Sequence, residues 1–147
     1  MRRSLNHIIN DVIDVLSGIT AMDIEVFTSF QSGLLDVPIS TPTVTVGVKS
    51  ADFNTSSLSA FSGYTDEGDF FSTKADIELS TNIFLPNAAH GAVNFEVLSL
   101  IVFALQKSRI PISLVRCGTL YYDARLMCSV LPVSITLCEH LYSDEED

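Results

Sequence analysis

The stretch Lys74 to Leu85 constrains the fold more than any other part of the chain. Ala75, Ile77, Leu79, Thr81, Ile83 and Leu85 occupy every second position, and Asp76, Glu78, Ser80 and Asn82 stand between them. A period of two is the signature of a β-strand, whose successive side chains point to opposite faces. One face of this strand needs an apolar cover and the other does not. The sequence supplies two helices suited to that task. Leu5, Ile8, Ile9, Val12 and Leu16 fall on one side of a helix over Ser4 to Ser17, with Ser4 as its cap and Gly18 at its end. Val93, Val97, Leu100, Ile101, Ala104 and Leu105 mark a second helix, about Ala92 to Lys107. Phe95 and Phe103 lie on its far side, which predicts burial on more than one face.

Other strands surround these elements. Asp23 to Phe30 alternates, with Ile24, Val26, Thr28 and Phe30 on one side, and Leu34 to Thr43, with Pro38 and Pro42, reads as an extended connection or an edge. Thr43-Val44-Thr45-Val46-Gly47-Val48 is a β-branched strand. The chain resumes as a strand from Arg109-Ile110-Pro111 through Val115, pauses at Gly118, and continues at Leu120-Tyr121-Tyr122. Asp123-Ala124-Arg125 is then a turn with a weak ion pair, before a final strand from Leu126 to Leu141. Pro132 inside that strand calls for an edge or a bulge. The order predicts an α+β fold: an antiparallel or mixed sheet with two helices packed on one face. One domain over 1–143 and an acidic C-terminal tail over 144–147 account for the 147 residues. A chain of this size buries about two-thirds of its surface, enough for a core without a metal or disulfide staple.

Lys49 to Thr73 departs from this texture. Ser, Thr, Asn, Gly and Asp fill most positions, with Phe53, Leu58, Phe61, Tyr64, Phe70 and Phe71 among them. A polar connection this long that still carries large aromatics reads as a loop or hairpin that orders against a partner. The alternative is a plain hairpin packed on its own subunit. Phe53, Phe61, Tyr64, Asp66, Glu67, Asp69, Phe70 and Phe71 are accordingly the candidate partner-interface residues.

Composition excludes several functions. Eight Lys and Arg against eighteen Asp and Glu leave a net charge of −10, which argues against binding phosphates or nucleic acid. A mean hydropathy of +0.35 is high for a soluble monomer and points to apolar surface covered by association. The longest apolar stretch, Val97 to Leu105, is half of what a bilayer requires, so no membrane partner is expected. Cys117, Cys128 and Cys138 are odd in number and widely spaced; they read as buried small hydrophobes of a cytoplasmic protein, not as a disulfide or zinc framework. His7, His90 and His140 fall at no metal spacing, and Asp66-Glu67-Gly68-Asp69 lacks a calcium-loop pattern and reads as a solvated acidic turn. No grouping supplies a nucleophile, a base and an orienting residue, so no catalytic, metal or cofactor site is expected.

The order and texture of the elements resemble the tail terminator proteins of bacteriophages and phage-derived tail particles. The resemblance is carried by the helix Ser4–Ser17, the strand Thr43–Val48 and Lys74-Ala75-Asp76-Ile77-Glu78-Leu79-Ser80 running into Ile83-Phe84-Leu85-Pro86. The helix to Leu105 and the closing strand pair with Tyr122-Asp123 at its turn complete it. It implies a structural protein, not an enzyme, that forms a homo-oligomeric, hexameric ring on a finished tail tube, stops its growth and offers its other face to neck, collar or sheath proteins. Such a protein sits in the virion tail or a phage-tail-like particle assembled in the bacterial cytoplasm, and DNA is only a passing, unbound strand. Two alternatives remain at this stage: another tail or injection-machine component, such as a sheath-end cap, neck or baseplate protein, and a small-ligand-binding domain or hydrolase using Asp66, Glu67, Asp69 and His90.

Overall fold

In the computed structural model, which describes residues 2–28, 40–54, 61–65, 68–86 and 91–144, the alternating segment is part of a 19-residue strand. In chain order the elements are β1 (Arg2–Arg3), α1 (Leu5–Ser17), β2 (Glu25–Thr28), β3 (Thr43–Asn54), β4 (Phe61–Thr65), β5 (Gly68–Pro86), α2 (Gly91–Lys107), β6 (Ile112–Cys117), β7 (Tyr121–Asp123) and β8 (Cys128–Asp144). All eight strands join one sheet, with a path β1-β8-β5-β3-β2. β2 lies parallel to β3, and the other described pairings are antiparallel. The sheet is therefore mixed, and the α+β expectation holds.

Its centre is the ribbon of β5 and β8, paired without a shift from Phe70 opposite Asp144 to Pro86 opposite Cys128. Ala75, Ile77, Leu79, Ile83 and Leu85 are buried on one face of β5, and Leu131, Val133, Ile135 and Leu137 continue that face on β8. Ile8, Val12 and Leu16 of α1 close over it together with Val97, Ile101 and Leu105 of α2, so the two helices cover the same side. Each Leu or Ile fully withdrawn from water there is worth about 1.5–3 kcal/mol. On the opposite side the buried apolar cluster among the described residues is small, made of Phe84, Leu126, Cys128 and Val130, with Thr43 and Thr45 buried beside it.

Local chemistry sets the ends of the helices. At the start of α1 the Ser4 backbone N–H donates to His7 Nδ1 at 3.0 Å, so an imidazole takes the capping role usually given to Glu or Gln. α2 ends in a Schellman pattern: Ile110 N–H reaches Leu105 O at 3.1 Å and Arg109 N–H reaches Gln106 O at 3.0 Å. Arg109 holds the left-handed position, with φ of 59°, where glycine is the usual occupant.

Four expectations need correction. β3 does not stop at Val48 but crosses a bulge between Val48 and Ser50 and continues to Asn54. β5 begins at Gly68 instead of Lys74 and pairs with β4, so the described part of 49–73 takes the hairpin form of that expectation. Pro132 lies in an internal strand instead of at an edge. Its carbonyl accepts the Gly118 N–H at 2.8 Å, so its nitrogen faces the gap between β6 and β7, where no ladder donor is lost. Asp123 makes a turn without the expected ion pair to Arg125: its Oδ1 accepts the backbone N–H groups of Arg125 at 3.0 Å and Leu126 at 3.1 Å. The strand Asp23–Phe30 is seen as Glu25–Thr28, while most of the connection Leu34–Thr43 falls outside the described residues.

Candidate interaction surfaces

The residues expected to meet a partner gather at one end of the sheet. Phe53, near the end of β3, is opposite Ala75 and 46% exposed. The β4–β5 register sets Phe61 opposite Phe71, Gly63 opposite Phe70 and Tyr64 opposite Asp69. On the other side of β5, Phe70 faces Asp144 and Phe71 faces Ser143. The fold thus brings Phe53, Phe61, Tyr64, Asp69, Phe70 and Phe71 onto adjacent strands, while Asp66 and Glu67 lie outside the described residues. β1 completes this end by pairing Arg2 with Ser143 and Arg3 with Tyr142. Arg3 is pinned there by Asp11 at 2.9 Å and Glu139 at 3.3 Å.

Two further apolar surfaces escaped the sequence reading. Phe95 and Phe103, expected to be buried by a second packing face of α2, are 45% and 57% exposed. Among the described residues the helix packs on the sheet and on α1, and Phe103 instead lines a groove of about 480 Å³ beside α1. Along and just before β8, on its β6–β7 side, Leu114, Tyr121, Tyr122 and Met127 are all exposed. The spacing of Phe95 and Phe103, two helical repeats apart and away from the Val97–Ile101–Leu105 stripe, was the available signal; exposure of Leu114 and the tyrosines had none, because a half-covered edge leaves no period of its own.

On the helix-free face of the sheet, Lys49, Glu78, Arg116, Gly118, Pro132 and Ser134 help line a groove of about 310 Å³. Glu78 Oε1 accepts the Ser134 hydroxyl at 2.6 Å and lies 3.3 Å from Lys49 Nζ, while Oε2 accepts the Ser50 hydroxyl at 3.3 Å. The Ser134 hydrogen bond, aided by Lys49, holds this carboxyl below its usual range. A carboxylate stabilised in that way neither donates a proton readily nor acts as a strong base, so the groove is a polar brace between β3, β5 and β8.

The remaining candidates are dispersed. His7 is engaged at the start of α1, His140 is exposed on β8, and His90 falls outside the described residues. Among the described residues no group of three or more His, Cys, Asp or Glu side chains is placed to hold a metal. The cysteines are free, but Cys117 is exposed and Cys138 half-buried, which corrects the expectation that all three are buried. Cys128 is buried, and loss of solvation, with Asp123 nearby, pushes its thiol up to about 11. No described helix is long and apolar enough to cross a membrane.

No known family model matches the chain, and no curated protein does. Nineteen chains of solved structures match. One is the PVC sheath/tube terminator of an extracellular contractile injection system in its extended state, with a TM-score of 0.50 and 15% identity. The likeness covers 100% of this chain and 60% of the neighbour, and it is a likeness of fold.

Proposed function

We propose that this protein is a structural component of a phage-tail-like particle: a terminator that assembles as a ring on the end of a completed tube. The ring stops further polymerisation and presents its outer face to a neck, collar or sheath protein. The observation that carries this reading is the fold likeness, across the full chain, to a protein described as a sheath/tube terminator. Surface chemistry supports it. Phe95, Phe103, Leu114, Tyr121, Tyr122 and Met127 are large, apolar and exposed on a single subunit, and a ring stacked between two partners needs several separate contact surfaces. Acidity fits a lumen through which a polyanion passes without sticking, because like charge repels it. The protein performs no catalysis in this reading. Because the neighbour terminates a sheath as well as a tube, a cap on the sheath is the second reading.

Native mass measurement and electron microscopy of the purified protein test both. A closed ring that binds tube ends and arrests their growth supports the terminator; a ring that binds only sheath supports the second reading. A monomer with no affinity for either would refute both.

A further inference from the structure

We infer that the outward face of α2 docks against the same face of a second copy of this chain, the two helices antiparallel about a two-fold axis at Ser99. The contact does not depend on the ring reading. Phe95, Ser99 and Phe103 recur every four residues, which sets them in one row on a helix, and all three are exposed. The inward row of Val97, Ile101 and Leu105 already holds α2 to the core, so the outward row is not needed for that packing. Between the two phenyl rings Ser99 leaves a dent. Its hydroxyl donates to Phe95 O at 3.1 Å and can therefore go under an apolar cover without losing a partner.

Charge identifies the occupant. α2 carries two charged side chains, Glu96 near its start and Lys107 at its end. At about 100° per residue both fall on the outward side, on the flank of Phe103, and both are exposed. Neither makes an ion pair: the described pairs belong to Arg3 and Lys49, and Asp14, which lines the groove beside Lys107, is not joined to it. A face with an acid at one end and a base at the other is its own complement once a second copy is turned end over end. A parallel copy would instead set Glu96 beside Glu96 and Lys107 beside Lys107.

Helix geometry supports the match. With the axis at Ser99, a rise of about 1.5 Å per residue puts Phe95 of one copy level with Phe103 of the other. The same rise leaves about 7 Å of height between Lys107 and Glu96 of the second copy. Side chains lean toward the N-terminus of their own helix, so in antiparallel partners these two lean toward each other across that gap. A contact in which one patch is used twice is isologous and closes at two copies. Where the subunits form a ring, it joins two rings back to back and leaves the size of each unchanged. A single helix pair is a small interface, so each contact is weak and a ring strengthens it by repetition.

The test uses three full-length variants, Glu96→Lys, Lys107→Glu and Phe103→Ser. Circular dichroism and thermal melting establish that each is folded, and light scattering across a dilution series reads mass. With rising concentration the unaltered chain should double the mass of its smaller unit, whether that unit is a monomer or a ring. Each charge variant alone should need at least about tenfold more protein to pair, since it meets its own copy with like charges at both ends. Phe103→Ser should weaken pairing by at least about tenfold through loss of an aromatic anchor. An equimolar mixture of the two charge variants should recover pairing to within about threefold, because both ends of the mixed pair are again opposite in charge. Charge variants that pair as well as the unaltered chain, or a mixture of folded variants that fails to recover, overturn the contact. So does an unaltered chain that stays a single ring at every concentration, which leaves the ring reading intact. Variants that pair normally but no longer bind tubes give the face to a tube subunit and overturn the contact as well. Doubling from monomer to dimer with no ring supports the contact and overturns the ring reading.

Discussion

The β5–β8 ribbon passes through two environments without changing its backbone. From Ala75 to Leu85 it lies under both helices and its inward side chains are buried. From Phe70 to Lys74 the pairing to β8 continues unbroken, but Ser72 and Thr73 are half-buried and Lys74 is exposed. Sequence follows the environment: Ala-x-Ile-x-Leu-x-Thr-x-Ile-x-Leu alternates under the helices, whereas Gly-Asp-Phe-Phe-Ser-Thr-Lys does not. Strand pairing and strand patterning are thus separable. Hydrogen bonds extend a strand, but only a covering layer writes a period of two into it.

The sharpest way to break this contrast is to put the same charge in both regions. Ile77→Asp should abolish soluble folded protein, because an unpaired buried carboxylate costs several kcal/mol out of a total stability of about 5–15 kcal/mol. Thr73→Asp, four residues earlier and at the same inward phase, should shift stability by about 1 kcal/mol or less. Equal losses of soluble protein would show that the uncovered stretch is buried in the free subunit too.

A smaller effect is expected where the covered half contains polar groups. Asn94 is buried; its Oδ1 accepts the Ser129 hydroxyl at 2.9 Å, and its Nδ2 donates to Ile83 O at 3.4 Å. Asn94→Ala should cost about 1–3 kcal/mol in denaturant unfolding by leaving a buried hydroxyl without its acceptor. Thr81 presents the opposite case, a buried hydroxyl with no hydrogen-bond partner among the described residues. Thr81→Val should therefore raise stability, by about 1 kcal/mol, in the same measurement. A loss would mean that this hydroxyl is satisfied.

The smallest effect belongs to the open groove. Glu78 has a pKa below its ordinary 4.5 in the folded chain. Its contribution to stability is complete above that value and is lost as the pH falls through the lower, folded one. The difference in melting temperature between the unaltered chain and Glu78→Gln should be constant near neutrality and shrink below about pH 4.5. It should be slight throughout, because the carboxylate remains open to water. A difference that grows with acid would reverse the assigned direction.

Both helices, the fold class and the inward face of β5 were legible because each is written as a period. β3 shows what erases one. Val44, Val46 and Val48 keep the inward phase, and the bulge after Val48 moves that phase to Ala51 and Phe53, opposite Ile77 and Ala75. Along the sequence this looks like a strand ending in a polar loop. The misreading of α2 had another origin: Phe95 and Phe103 are apolar, and apolarity does not distinguish a residue buried in its own chain from one kept for another. The polar brace was illegible because Lys49, Glu78 and Ser134 share no spacing and meet only through the registers of β3 and β8 with β5. The aromatic-rich segment stands apart in composition, but its organisation as strands depends on pairing with β8, distant in the sequence.

The single hydrogen bond between Asn94 and Ser129 has a consequence for how the chain reaches its native state. β5 and β8 are far apart in sequence, so they meet late and slowly. A slip of two residues between them would leave every side chain on its original face, and the hydrophobic pattern would tolerate it. Ser129 stands opposite Leu85 in the native register; after such a slip, Met127 or Leu131 would take that place and Asn94 would confront an apolar side chain. One buried polar contact thus acts as an alignment mark, favouring the native register over a two-residue slip that would leave Asn94 without its hydroxyl partner.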